Sequence, residues 1–192
     1  MTTSFNGVDV PKVMAQIETV RKNPAEGAFT FKVSSVWDEG LSCRHAADTF
    51  ALGIDKRHHL AKHEIVTDLP ECLAGTDAGM SPIEMLLGAL AACMISGYAV
   101  HGAAMGIKLQ ELAVEVTGEG DIAGFFGIGN CKPGLTDVAV RTTIKSTASR
   151  ERLEDLHRFV MTHSVVWDTL ASRVHVEGKL VSDVESSGAI EL

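Results

Sequence analysis

The sequence predicts an α+β fold, and three observations carry that prediction. The spacing of apolar residues switches several times between a period of two and a period near 3.6, so strands and helices alternate along the chain. One uncharged run, Met85 to Ala104, is far longer than any ordinary strand. Gly, Pro and Asn punctuate the periodic segments, yet no repeat or linker divides them. At 192 residues the chain has the size of one domain with a sizeable core. We read residues 1–27 as an N-terminal helical extension and 28–192 as a single domain.

The elements follow in order. Asp9 is a candidate N-cap and Pro11 suits a first helical turn; Val10, Val13, Ile17 and Val20 then recur at helical spacing until Asn23-Pro24. From Phe29 the period becomes two, with Phe29, Phe31, Val33 and Trp37 on one face, which predicts a strand. Asp38-Glu39-Gly40 reads as a turn, and Leu41 to Thr67 as further strands. Ser81 and Pro82 start the long apolar helix. Its length would cross a bilayer, but no Lys/Arg-rich collar flanks it and its neighbours are amphipathic, which favours a buried central helix. Gly88, Ala92 and Ser96 form a small-residue stripe that lets another backbone approach, a twin copy being the natural partner. Leu112, Val114 and Val116, then Val138, Val140, Thr142 and Ile144, alternate as two strands of a hairpin joined by the glycine-rich stretch Gly118 to Gly134. Ser149 caps a helix carrying Leu153, Leu156 and Val160; Val165 to Ala171 is a short helix, and Val174 to Val181 a closing strand.

Composition narrows the function. Hydrophobic residues make up 45% and charged residues 22%, as in ordinary globular proteins. With 17 Lys and Arg against 25 Asp and Glu, the net charge of −8 argues against nucleic acid as a partner. The polar start, Met1 to Val10, has no secretory character, which points to a reducing cytoplasm. Cys43, Cys72, Cys93 and Cys131 form no CxxC pair, so a functional thiol acts singly.

Cys93 lies in the middle of the apolar helix beside small residues, Ala89, Ser96 and Gly97. A packed core cysteine is the bland reading. His59 and His63 are four apart in His58-His59-Leu60-Ala61-Lys62-His63, a metal spacing for a helix. The segment reads as a strand without a third ligand, so we assign no metal and no cofactor. His163 beside Ser164 lacks an acid partner and a GxSxG elbow, and a helix-end role on backbone carbonyls suits it better. Gly124-Phe125-Phe126-Gly127-Ile128-Gly129 lacks the Lys-Ser/Thr of a P-loop; its two phenylalanines could instead wall an apolar cleft.

The string Ser81-Pro82-Ile83-Glu84-Met85-Leu86-Leu87-Gly88-Ala89-Leu90-Ala91-Ala92-Cys93 resembles the motif of the OsmC/Ohr family of osmotically inducible and organic hydroperoxide resistance proteins. Asp68-Leu69-Pro70 with Gly75-Thr76-Asp77 resembles the family's approach to that helix, and His163-Ser164-Val165-Val166-Trp167-Asp168-Thr169-Leu170 its second segment. The resemblance runs from Phe29 to Val181 and implies antiparallel sheets wrapped around long central helices in an intertwined homodimer, with the site at the subunit interface. It implies Cys93 as the peroxidatic cysteine. The second, resolving cysteine is replaced by Ser164, so no intramolecular disulfide cycle runs and an external thiol must act. Where members place an acid after the motif proline, this chain has Ile83; Glu84 is turned by about 100° along the helix. Mid-helix position gives Cys93 little help from the helix dipole, so thiolate formation calls for a cation, and Arg44 is the candidate. The expected activity is thiol-dependent reduction of organic hydroperoxides. The alternatives are a catalytically degenerate dimer binding a small apolar ligand in a pocket that includes Ile83, Glu84, His163, Phe125 and Phe126, and a purely structural cysteine.

Overall fold

The computed structural model describes residues 4–181. The N-terminus forms a minimal hairpin, β1 (Ser4–Phe5) and β2 (Val8–Asp9), ahead of helix α1 (Val10–Lys22). Asp9 caps α1 by accepting from the Lys12 amide at 3.1 Å. The short hairpin was not foreseen, because two-residue strands leave no periodic signal. It is tied down by Asn6, whose side chain donates to the Ile107 carbonyl at 2.9 Å and accepts from the Leu109 amide at 3.0 Å.

A first sheet follows, made of β3 (Phe29–Phe31), β4 (Ser34–Trp37), β5 (Cys43–Leu52) and β6 (Asp55–Thr67). The single strand expected over Phe29 to Trp37 is split in two. Both halves pair antiparallel with β5, Phe31 opposite Phe50 and Ser34 opposite Ala46. The physical reason lies in the register: three steps from Phe31 to Ser34 answer four along β5 from Phe50 to Ala46, at the place where β6 also shifts against β5 between Ala47 and Thr49, and the straight edge is broken there.

Helix α2 (Pro82–Ala104) spans 23 residues. It lies against the hairpin of β7 (Leu109–Glu119) and β8 (Asp137–Ser146) and against helix α4 (Arg150–His163). The connection between β7 and β8 holds one turn of helix, α3 (Ile122–Phe125), and α5 (Val165–Ala171) follows α4. The core is small: Leu90, Met94 and Tyr98 recur every four residues on α2 and meet Ile107, Leu156 and Val160. Each such side chain contributes roughly 1.5–3 kcal/mol on burial. The Tyr98 hydroxyl is satisfied by Thr142 and by His157 Nδ1, so a polar tip in the core costs little.

Two expectations need correction. The long helix is central, but a single chain buries only one of its faces; Gly88, Ala92 and Ser96 are exposed, and Ile83 and Ile95 are 47% and 39% exposed. A purely apolar composition does not say how many faces are covered by the same chain. The closing strand also does not form. Apart from one bridge residue at Lys179, the stretch from Val174 to Val181 is irregular and exposed, because it meets no strand edge among the described residues.

Candidate functional site

The start of α2 is built by the loop before it. Asp68 is 1% exposed, and its carboxylate accepts from the Thr76 hydroxyl at 2.6 Å and from the amides of Leu69, Thr76 and Ala78. The Thr76 hydroxyl bond, with those amides, holds the Asp68 carboxyl down to about 2 although desolvation opposes it. The loop closes so tightly that a Cβ on Gly75 would lie 1.8 Å from the Leu69 carbonyl oxygen. Ser81 and Glu84 then form a reciprocal capping box, Ser81 Oγ accepting from the Glu84 amide and a Glu84 carboxylate oxygen from the Ser81 amide at 2.7 Å. Glu84 is therefore engaged at the helix end, its carboxyl held below the usual glutamate range by Ser81, and it does not line the pocket.

Eleven residues beyond Pro82, Cys93 reaches the end of α4, which runs antiparallel to α2. The crossing is close because Gly97 has no side chain: a Cβ there would meet Val160 at 3.1 Å. That closeness places Ser164 at the thiol. Its hydroxyl donates to Cys93 Sγ at 3.2 Å while accepting from the Trp167 amide at 3.3 Å as the N-cap of α5. Ser164 is 5% exposed and Cys93 half-buried.

One turn before Cys93, an apolar groove of about 490 Å³ opens between α2, α5 and β8. Ile83, Leu86 and Leu90 form one wall, and Trp167 and Leu170 another. Leu135 and Val138 close it from the hairpin side, with Lys132 and Asp137 supplying polar atoms. Of the residues expected at a pocket, Ile83 is there. Phe125 and Phe126 pack edge-to-face on each other and remain exposed, and the same connection contributes Lys132, Gly134, Leu135 and Thr136 instead. Nothing in the pattern distinguished those residues, since they belong to a loop.

His163 stacks on Phe159 and its Nδ1 shares a hydrogen bond with the Phe159 carbonyl at 2.8 Å, the helix-end role expected of it. Arg44 lies on β5, paired with Asp38 at 2.7 Å, and makes no hydrogen bond to Cys93 within one chain. All four cysteines are free; Cys43 is half-buried on the first sheet, and Cys72 and Cys131 are exposed. Among the described residues no three His, Cys, Asp or Glu side chains gather in a metal-binding group.

Comparisons with known proteins agree with this arrangement. The family profile described as OsmC-like protein matches residues 75–179. Among solved structures, an OsmC-like protein from Mycoplasma pneumoniae superposes with a TM-score of 0.55 at 22% identity, over 74% of this chain and 87% of its own. An OsmC-like protein of unknown function from Vibrio cholerae superposes with a TM-score of 0.52 at 13% identity, over 73% and 92%. No curated protein sequence matches the chain. The profile covers more than half of the chain, including the capped helix with Cys93 and the turn with Ser164, and on that ground the chain belongs to the OsmC-like family.

Proposed function

We propose that the protein reduces organic hydroperoxides in oxidative stress defence, using Cys93 as its single peroxidatic thiol. The observation that carries this reading is the Ser164 hydroxyl held 3.2 Å from Cys93 Sγ beside an apolar groove. The Cys93 sulfur attacks the terminal oxygen of the hydroperoxide; the S–O bond forms, the O–O bond breaks, and the alcohol leaves with a proton. Cys93 is left as a sulfenic acid. The second position is a hydroxyl, so an external thiol condenses with the sulfenic acid, releasing water, and a second equivalent reduces the mixed disulfide. The groove takes the hydrocarbon part of the substrate.

The reading includes a cytoplasmic homodimer. The first sheet makes no substantial contact with α2 or the second sheet, and it exposes Phe31, Val36 and Trp37 to the extent of 66%, 66% and 70%. With the exposed stripe on α2, that is more uncovered apolar surface than a soluble monomer ordinarily carries. A second copy covers both, and brings its Arg44 towards Cys93 as the cation the thiolate needs.

The test is the rate of Cys93 oxidation by cumene hydroperoxide and by hydrogen peroxide, followed by intact-protein mass with Cys93→Ser as control. Fast, Cys93-dependent oxidation that favours the organic peroxide is expected; a rate no better than that of a free thiol refutes the activity. Ile83 in place of an acid, on the wall of the groove, favours a second reading, a catalytically silent dimer that binds a small apolar molecule. A ligand retained in native mass spectrometry together with an inert Cys93 would establish it.

A further inference from the structure

Two histidines that the strand pattern separates are brought together by an irregularity in β6. In a regular strand, residues four apart lie about 13 Å from one another. Here Ala47 and Thr49 of β5 pair with His63 and His58 of β6, so five steps along β6 answer two along β5. The three extra residues loop out of the sheet. Leu60 stands at the tip, fully exposed, and His59 and His63 flank the neck of the excursion. Their rings approach edge-to-face, with centroids 5.0 Å apart and planes at 71°.

We propose that His59 and His63 form a chelating site for a divalent transition metal ion with affinity for imidazole, such as Ni²⁺, Zn²⁺ or Cu²⁺. A metal about 2.1 Å from each ring nitrogen, at a roughly tetrahedral angle, places two imidazole centroids about 5 Å apart. The observed separation matches that spacing, and a turn of the exposed His63 ring about its side-chain bonds is the adjustment that aims its nitrogen at an ion shared with His59. His59 is held from its other side by the ring of Phe50, whose centroid lies 4.9 Å away. The neighbouring charges are engaged elsewhere: Lys62 pairs with Glu64 at 2.5 Å, Arg57 with Asp55 at 3.4 Å, and His58 with Asp48 at 3.6 Å. The two imidazoles occupy two coordination positions and water fills the rest, as expected of an accessible site rather than a closed structural one. Bound metal clamps the neck of the excursion. This site is separate from Cys93 and does not rest on the peroxidase reading.

The experiment is a titration of the full chain, its thiols capped with iodoacetamide, with NiCl₂, followed in ¹H–¹⁵N spectra of the histidine side chains. Paramagnetic broadening is expected first at His59 and His63, at nickel concentrations that leave His58 and His163 sharp. Binding measured by calorimetry should weaken roughly tenfold or more in His59→Asn and in His63→Asn, the scale typical of a perturbed metal site, and be unchanged in His58→Asn. Melting curves recorded without metal check that the variants fold, and the wild-type spectra decide the matter even if one does not. Broadening that starts at other histidines, or variants that bind nickel as the wild type does, overturn the proposal.

Discussion

Replacing Ser164 by cysteine tests the geometry of the site most directly. The Ser164 hydroxyl lies 3.2 Å from Cys93 Sγ, so a thiol there needs only a small shift to close a disulfide. The bridge joins positions 71 apart in sequence, and a closed loop of that size removes enough chain entropy from the unfolded state to stabilise the fold by about 4 kcal/mol. The substitution also gives up the hydroxyl cap on the Trp167 amide, which costs about 1 kcal/mol. The net gain of about 3 kcal/mol corresponds to a rise in Tm of roughly 6–12 °C for a chain of this size. The assay is mild oxidation of Ser164→Cys with diamide, then intact mass, thiol counting and calorimetry with and without dithiothreitol. We expect the loss of two hydrogens, no covalent dimer on a non-reducing gel, and a Tm gain that dithiothreitol abolishes. If all five thiols of the variant stay free after oxidation, Cys93 and Ser164 are not in contact and the site as described is wrong.

Two further outcomes follow from the same structure. Asp68→Asn removes a buried carboxylate that holds the loop before α2; because the Asp68 carboxyl is held down to about 2, its stabilising contribution is fully present above the ordinary aspartate value of about 4 and disappears as pH falls towards 2. Melting curves of wild type and Asp68→Asn should therefore lie well apart at neutral pH and converge between about pH 4 and pH 2; a gap that does not depend on pH would refute the assignment. A Cβ at Gly88 meets nothing within 4 Å in the chain and the position is exposed, so the fold should tolerate Gly88→Leu, whereas a second copy packed on that stripe would be pushed away. Light scattering should show dimer converting to monomer with an unchanged circular dichroism spectrum, and an intact dimer would remove the stripe from the interface.

Much of this arrangement was legible in the residues. Asp9, Ser81 and Ser149 marked helix starts that the structure shows capped, and the alternation of Leu112 to Val116 with Val138 to Ile144 marked the hairpin. These signals are local: a cap or a pleat depends on residues within a few positions, so a short window contains its cause. Position in the motif was enough to single out Cys93 and Ser164, although their contact spans 71 positions and no spacing rule reports it.

What the sequence determined by itself was therefore the order and type of most elements, the capped apolar helix and the residue that carries the thiol. The tertiary structure decided which groups meet. It spent Glu84 on a capping box, set Phe125 and Phe126 outside the groove, kept Arg44 away from the thiol of its own chain, and drew His59 and His63 together across an excursion of β6. Each of these depends on register shifts, bulges and helix crossings that arise only when distant segments pack.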